Sequence, residues 1–348
     1  MTKMWHIIPL LLFPVALIPL LRMGQEKWFS KKEFFALEGL MIMLLAVGFF
    51  VARWAAVQDT EIWSGHLTAK DSGYGSCCHC TEDCDSDGHC TTICDHSGDY
   101  WWTVDVSTGD TVTILDCIPS PVVPQAWNDA IIGEPAVVAH RYTNYLLAHP
   151  EHVLSNIEVP FHLTDQVTPD YPQVHSHYRI DRAINTDTAM PVTLWNSALM
   201  KLNDEIGSIK EVNVVVIATT YEDRAYSKII ERDWLLGKKN DLIFVFGVSP
   251  VDGHTIRWVE AVSISQTKHI TQMANDALVH HSIQDVEPNV AILKNIVTDH
   301  FERTPMSEFR SLMSHATPGR TGTIILYVLA TLGCMVGSHI MTKRNPIG

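Results

Sequence analysis

The chain has 348 residues, with 39 acidic against 25 basic side chains and a formal charge of −14 when histidine is neutral. That balance excludes nucleic acid as a general partner, because a phosphate backbone is held by Lys/Arg stripes and the sequence carries none. The length accommodates two or three domains, and the polar middle at residues 58–320 is long enough to bury a core of its own.

Apolar segments bracket that middle. Residues 5–21 read WHIIPLLLFPVALIPLL, with Pro9, Pro14 and Pro19 at intervals of five. A basic residue, Lys3, precedes the run as in a signal peptide, but no small-residue cleavage site follows Leu20-Leu21-Arg22-Met23, so an uncleaved span is expected. Residues 34–57 give FFALEGLMIMLLAVGFFVARWAAV, charged only at Glu38 and Arg53. Residues 321–341, TGTIILYVLATLGCMVGSHIM, hold no Asp, Glu, Lys or Arg. The second and third runs are long enough to cross a hydrocarbon core of ~30 Å at ~1.5 Å per helical residue. The expectation is three transmembrane helices.

Basic residues orient them. Arg22, Lys27, Lys31 and Lys32 join the first two runs, and Lys343 and Arg344 lie in the tail at 342–348. Both groups belong in the cytoplasm, which places residues 58–320 outside it, in the periplasm if the membrane is the inner membrane of a bacterium. Gly333 and Gly337 form a GxxxG in the last span, suited to packing against the second span or against another copy in a homo-oligomer.

Residues 58–118 form a cysteine-rich neck, with CCHCTEDCDSDGHCTTIC at its centre. Cys77, Cys78, Cys80, Cys84, Cys90 and Cys94 are interleaved with His79, His89 and His96, and Cys117 stands apart. So little apolar material cannot fold by burial and needs a staple. Disulfides suit an oxidising compartment. Structural zinc is the alternative, through the pairs Cys80/Cys84 and Cys90/Cys94 with a histidine substituting. A redox site at Cys77/Cys80 is a third reading, and Asp83-x-Asp85-x-Asp87-Gly88 matches the start of a calcium loop but has Cys94 where its closing Glu belongs.

Beyond the neck, residues 100–115 read as two strands around Ser107-Thr108-Gly109-Asp110. In the connecting region at 119–193, residues 136–149 read as a helix, and residues 167–181 as a strand that puts His175 and His177 on one face. Residues 194–303 carry an α/β pattern of helices packed on a mixed sheet. A helix at 194–206 precedes the apolar strand VNVVVIAT at 212–219; a helix at 221–236 precedes the strand LIFVFGV at 242–248. A third strand at 256–264 follows an Asp252-Gly253 turn, and helices at 267–280 and 290–301 close the unit before a linker at 304–320.

VNVVVIATTYEDRAYSKIIERDWLLGKKNDLIFVFGV resembles the first strand, the Trp-and-Gly-terminated helix, the basic turn and the central strand of the TPM domain. The family's G-Y-G-L-E segment is replaced by Ala261-Val262-Ser263-Ile264. The chain is also similar overall to membrane proteins of large tailed bacteriophages, in the neck and at residues 131–154. The TPM resemblance implies a membrane-tethered extracytoplasmic domain acting as a binding, scaffold or assembly factor with a protein partner. Its alternative implication is a metal-dependent phosphatase, for which Asp223, Asp241 and Asp252 are the loop carboxylates able to hold a divalent ion. The missing glycine-rich segment counts against inherited catalysis, and no nucleophile elbow, HExxH or P-loop replaces it.

Overall fold

The computed structural model of the chain describes residues 7–23, 31–76, 79–85, 87–154 and 157–344. In chain order, helices α1 (Ile7–Met23) and α2 (Lys31–Ala55) lead into the long strand β1 (Gln58–Gly75) and a short hairpin of β2 (Cys80–Cys84) and β3 (Cys90–Cys94). Strands β4 (Asp99–Val106) and β5 (Thr111–Ile118), helix α3 (Gln125–Asn128), strand β6 (Pro135–Thr143) and helix α4 (Pro150–Leu154) follow. Short strands β7 (Val174–His175), β8 (Arg179–Ile180) and β9 (Ala183–Asn185) precede helix α5 (Val192–Lys210). The rest is β10 (Asn213–Thr219), α6 (Tyr226–Asp233), β11 (Asp241–Val248), β12 (Ile256–Val262), α7 (Lys268–Leu278), α8 (Val286–His300) and α9 (Arg320–Arg344). Two units result: a helical one from residues 1–59, 142–153 and 306–348, and an α/β one from residues 60–141 and 154–305.

Among the described residues two helices, rather than the expected three, are long and apolar enough to cross a membrane: Phe35–Ala55 of α2 and Arg320–Ile340 of α9, each 21 residues. The first apolar run forms α1, of 17 residues, whose apolar core Ile8–Ile18 falls short of that length. It packs with the other two all the same. Leu10 is buried with Leu45, Phe49, Leu326 and Ala330, and Ile18 with Leu37, Met41 and Cys334.

Between α2 and α9 a small residue repeatedly faces another side chain. Ala52 faces Gly322, Gly48 faces Leu326, Met41 faces Gly333 and Leu37 faces Gly337. The positions descend in α2 as they ascend in α9, at intervals of four, seven and four, so the helices are antiparallel with a heptad-like seam. The GxxxG is spent inside the chain, on α2. The outward positions of these helices are also apolar: Leu40, Met43, Leu44, Val47, Phe50 and Val51 on α2, and Ile325, Val328, Leu329, Leu332 and Val336 on α9 are all exposed. Next to the bundle, Asn144 ties the chain down, its N–H donating to the Val57 carbonyl and its Nδ2 to Asp59. The Arg53 guanidinium donates to the Met313 carbonyl.

The α/β unit contains two four-stranded sheets. In the first, ordered β5-β4-β1-β6, β4 runs antiparallel to both β1 and β5. The expected turn between β4 and β5 is present, with Gly109 at φ 91°, a value that favours glycine. The second is ordered β12-β11-β10-β9, with β9, β10 and β11 parallel and β12 antiparallel to β11. Every residue of β10 and β11 is buried, as their unbroken apolar runs demand. Val214, Val216, Phe244 and Phe246 face a core shared with α5, α7 and α8, while Val215, Ile217, Ile243 and Val245 face one shared with α6. Helices therefore cover both faces of a mixed sheet, in the order the sequence predicts. Gly247 has no room for a side chain, because the Trp258 indole lies over it. Arg182 is fully buried and joins the two sheets, its Nη2 donating to Ser64 Oγ and its Nε to Asn213 Oδ1, each at 2.7 Å.

Two local expectations are corrected. Residues 136–149 are not helical: Ala136 and Val137 are buried as part of β6, and only Tyr145–Ala148 coils, as one 3-10 turn. Sheet pairing overrides the helical spacing of Tyr142, Tyr145 and Leu146. Residues 167–181 are not one strand either. Ser176 and His177 have φ of 46° and 72° and form the turn of a hairpin between β7 and β8, so His175 and His177 do not share a sheet face.

A histidine–carboxylate cluster beside a disulfide hairpin

The β2–β3 hairpin exposes nearly all of its side chains and is held covalently instead. Cys80 pairs directly across from Cys94 and Cys84 from Cys90, and both pairs are disulfides. Alternate residues of a strand share a face, so both bridges and the Glu82–Thr92 pair between them lie on one side of the hairpin. Cys117 is disulfide-bonded as well. Cys77 and Cys78 lie outside the described residues. The tetrathiolate zinc reading is thereby corrected: a sulfur bonded to another sulfur carries no thiolate charge to donate. The Asp85 side chain accepts from the backbone N–H groups of Asp87 and His89, closing the hairpin turn. His89 lies at this tip, 85% exposed, with its Nδ1 3.8 Å from Asp85 Oδ2.

The open end of the hairpin is different. His79 immediately precedes Cys80, and Asp95 and His96 immediately follow Cys94. The disulfide and a backbone bond from Asp95 N–H to the His79 carbonyl bring these segments side by side. Asp99, the first residue of β4, is buried beneath them. Its neighbour Gly98 packs on the Tyr74 ring and the Gly75 carbonyl, where a Cβ would collide. The side-chain nitrogens of His79 and His96 and a carboxylate oxygen of Asp99 lie within 4.8 Å of one another. Among the described residues this is the one group of three or more His, Cys, Asp or Glu side chains so placed.

His96 has both ring nitrogens engaged. Its Nε2 lies 2.5 Å from Asp99 Oδ1 and its Nδ1 2.6 Å from Asp95 Oδ1. His79 Nδ1 is 3.7 Å from Asp99 Oδ2, and the two imidazoles are 5.4 Å apart at an angle of 49°. The hydrogen bond to Asp99 and the charge of Asp95 raise the His96 pKa above its usual value, against a smaller opposing effect of desolvation. The sequence pattern by itself does not single out Asp95 or Asp99. Their signal is the short spacing Asp95-His96-x-x-Asp99 directly after the last neck cysteine.

The three phosphatase carboxylates are not brought together. Asp223 and Asp252 follow the C-terminal ends of the parallel strands β10 and β11, whereas Asp241 opens β11, roughly 20 Å away at ~3.3 Å per residue. Asp241 is fully buried and accepts from Tyr171 Oη, Asn213 Nδ2 and the Lys238 N–H at 2.7–2.8 Å. Burial raises its pKa, opposed by those hydrogen bonds. Asp223 accepts from the Ala225 N–H ahead of α6 and contacts His162. Asp252 accepts from the His254 and Thr255 N–H groups, which with the Thr255 hydroxyl hold its carboxyl far below the usual range. Each is a turn or core residue. Gly333 and Gly337 pack on α2 as described above.

No family model, no curated protein and no solved structure matches the chain.

Proposed function

We propose that the protein is anchored in a membrane by α2 and α9 and that its α/β unit, held on the extracytoplasmic side, acts as a binding, scaffold or assembly factor for a protein partner at the membrane surface. The observation that carries the reading is the apolar outer face of the helical unit. A water-soluble bundle turns a polar face outward. Here the outward residues of α2 and α9 are Leu, Ile, Val, Met and Phe, which calls for lipid around them.

Disulfides in the hairpin support an oxidising compartment for the α/β unit, consistent with the basic residues between α1 and α2 and in the tail facing the cytoplasm. The order α5-β10-α6-β11-β12-α7-α8 supports the TPM-like reading of residues 194–303, a family of membrane-tethered domains. A TPM-type phosphatase is the less favoured reading, since its three carboxylates have structural hydrogen-bond roles and stand at opposite ends of the sheet.

Alkaline carbonate extraction tests the anchor, which requires the chain to stay in the membrane pellet; release to the supernatant contradicts it. Cross-linking in native membranes followed by purification of the full chain tests the scaffold role. A stoichiometric protein partner supports it, and phosphatase activity without such a partner contradicts it.

A further inference from the structure

We propose that His79, His96 and Asp99 form a binding site for a divalent transition-metal ion of the zinc class, framed by the Cys80–Cys94 disulfide rather than built from the cysteines. The site stands on three observations.

The first is the donor set. Two imidazole nitrogens and a carboxylate oxygen converge within 4.8 Å. Two histidines with one carboxylate and an open position is a ligand set that zinc uses, whereas calcium and magnesium take oxygen-rich shells. Donors at ~2.0–2.1 Å from a tetrahedral ion stand about 3.3 Å apart. His79 Nδ1 lies 3.7 Å from Asp99 Oδ2 and His96 Nε2 2.5 Å from Asp99 Oδ1, so each separation differs from that spacing by less than 1 Å.

The second is the support behind His96. A ligating histidine usually donates its other ring N–H to a carboxylate, which fixes the ring and strengthens the ligand. Asp95 Oδ1 is 2.6 Å from His96 Nδ1 and occupies that place. When an ion enters, the proton between Nε2 and Asp99 leaves to solvent, and the freed Nε2 lone pair and the Asp99 oxygen bind the cation. The other proton stays on Nδ1, donated to Asp95.

The third is preorganisation. His79 and His96 flank the two halves of one disulfide, and Asp99 is fixed at the start of a sheet strand. Ligands delivered by a covalent staple and a strand end lose little freedom on binding. His79 is half exposed, so water or a group from a partner protein can take the remaining coordination position.

The test uses the full chain in detergent, stripped with chelator, with free thiols alkylated so that no cysteine competes. Calorimetric titration with zinc chloride in excess magnesium is expected to give one site per chain. His96→Ala and Asp99→Asn should each weaken it at least tenfold and Asp95→Asn by about 10- to 100-fold, with His89→Ala unchanged. Peptide mapping for the Cys80–Cys94 and Cys84–Cys90 bridges reports the folding of each variant. Should His96→Ala lose them, cobalt substitution in the unmutated chain decides, since a mixed nitrogen–oxygen spectrum is required. No zinc uptake by the unmutated chain, equal uptake by folded His96→Ala, or loss in His89→Ala would each overturn the proposal.

Discussion

Leu37 in α2 fills the space that a side chain at position 337 of α9 would need: a Cβ on Gly337 would lie 2.5 Å from Leu37 Cδ1. Together with Met41 on Gly333, this makes the glycine motif half of an intramolecular antiparallel seam. Ala52 and Gly322 mark the other end, where a Cβ at 322 would lie 3.6 Å from that of Ala52, a separation suited to a disulfide.

With Cys334 changed to Ser, Ala52→Cys with Gly322→Cys is therefore expected to cross-link within one chain, read as a single linked peptide pair from monomeric protein. Adding Gly337→Leu should reduce the yield, since overpacking costs about 1–3 kcal/mol. Leu37→Gly in the same chain should restore part of it. Cross-linked dimers in place of monomers would mean that α9 packs on another copy.

Reduction should act locally. The hairpin contributes almost no buried side chains, so breaking Cys80–Cys94 and Cys84–Cys90 is expected to expose residues 79–96 to protease while the α/β core keeps a cooperative melting transition. Seven cysteines fall between positions 77 and 117, an odd number, so mass spectrometry should also find one thiol that alkylates without reduction or one interchain bridge. Loss of the core transition on reduction would show that the staple supports more than the hairpin.

Asp241→Ala is expected to destabilise the α/β unit by about 3 kcal/mol or more, because it strands Tyr171 Oη, Asn213 Nδ2 and the Lys238 N–H in the core. Asp223→Ala, at a half-exposed site, should cost under about 1 kcal/mol. Denaturant melts of the two variants check this. Equal, small effects would contradict the structural role assigned to Asp241.

Stability should fall on the alkaline side. Burial, then the hydrogen bond from its hydroxyl to Glu134, pushes Tyr178 up to about 12, and burial does the same to Tyr226. An unfolded tyrosine titrates near ~10. The protonated phenols therefore contribute fully below pH ~10, and that contribution is lost as pH climbs toward about 12. Denaturant midpoints between these limits should fall less steeply in Tyr178→Phe, and least in the double variant with Tyr226→Phe. An unchanged slope would contradict the assignment.

What could be read in the sequence follows from which patterns are local. The runs VNVVVIAT and LIFVFGV have no polar face, so they could only be central strands, and they are. The antiparallel β4–β5 pair is legible for a different reason, its turn residues standing between two Val- and Thr-rich runs. Strand β1 is not legible in the sequence, because QDTEIWSGHLTAKDSGYG is polar by composition and becomes a strand by pairing with β4. In β6 the spacing of the aromatic residues suggested a helix, and the neighbouring strand decided otherwise. A turn at His177 could not be foreseen, since its positive φ is imposed by the hairpin.

The candidate site divides the same way. That the neck needed a staple was evident from its composition, but which cysteines pair depends on the β2–β3 register. His79 and His96 were visible as candidates, yet Asp99 was not, because its place beneath them depends on how β4 joins β1.

The central claim is that α2 and α9 hold residues 58–320 outside the cytoplasm. Protease treatment of intact spheroplasts carrying the full chain, with a tag after Gly348, tests it most directly. The α/β unit should be reached by external protease or by a membrane-impermeant label, while the tag remains intact until the membrane is lysed. A degraded tag beside a protected α/β unit would contradict the account.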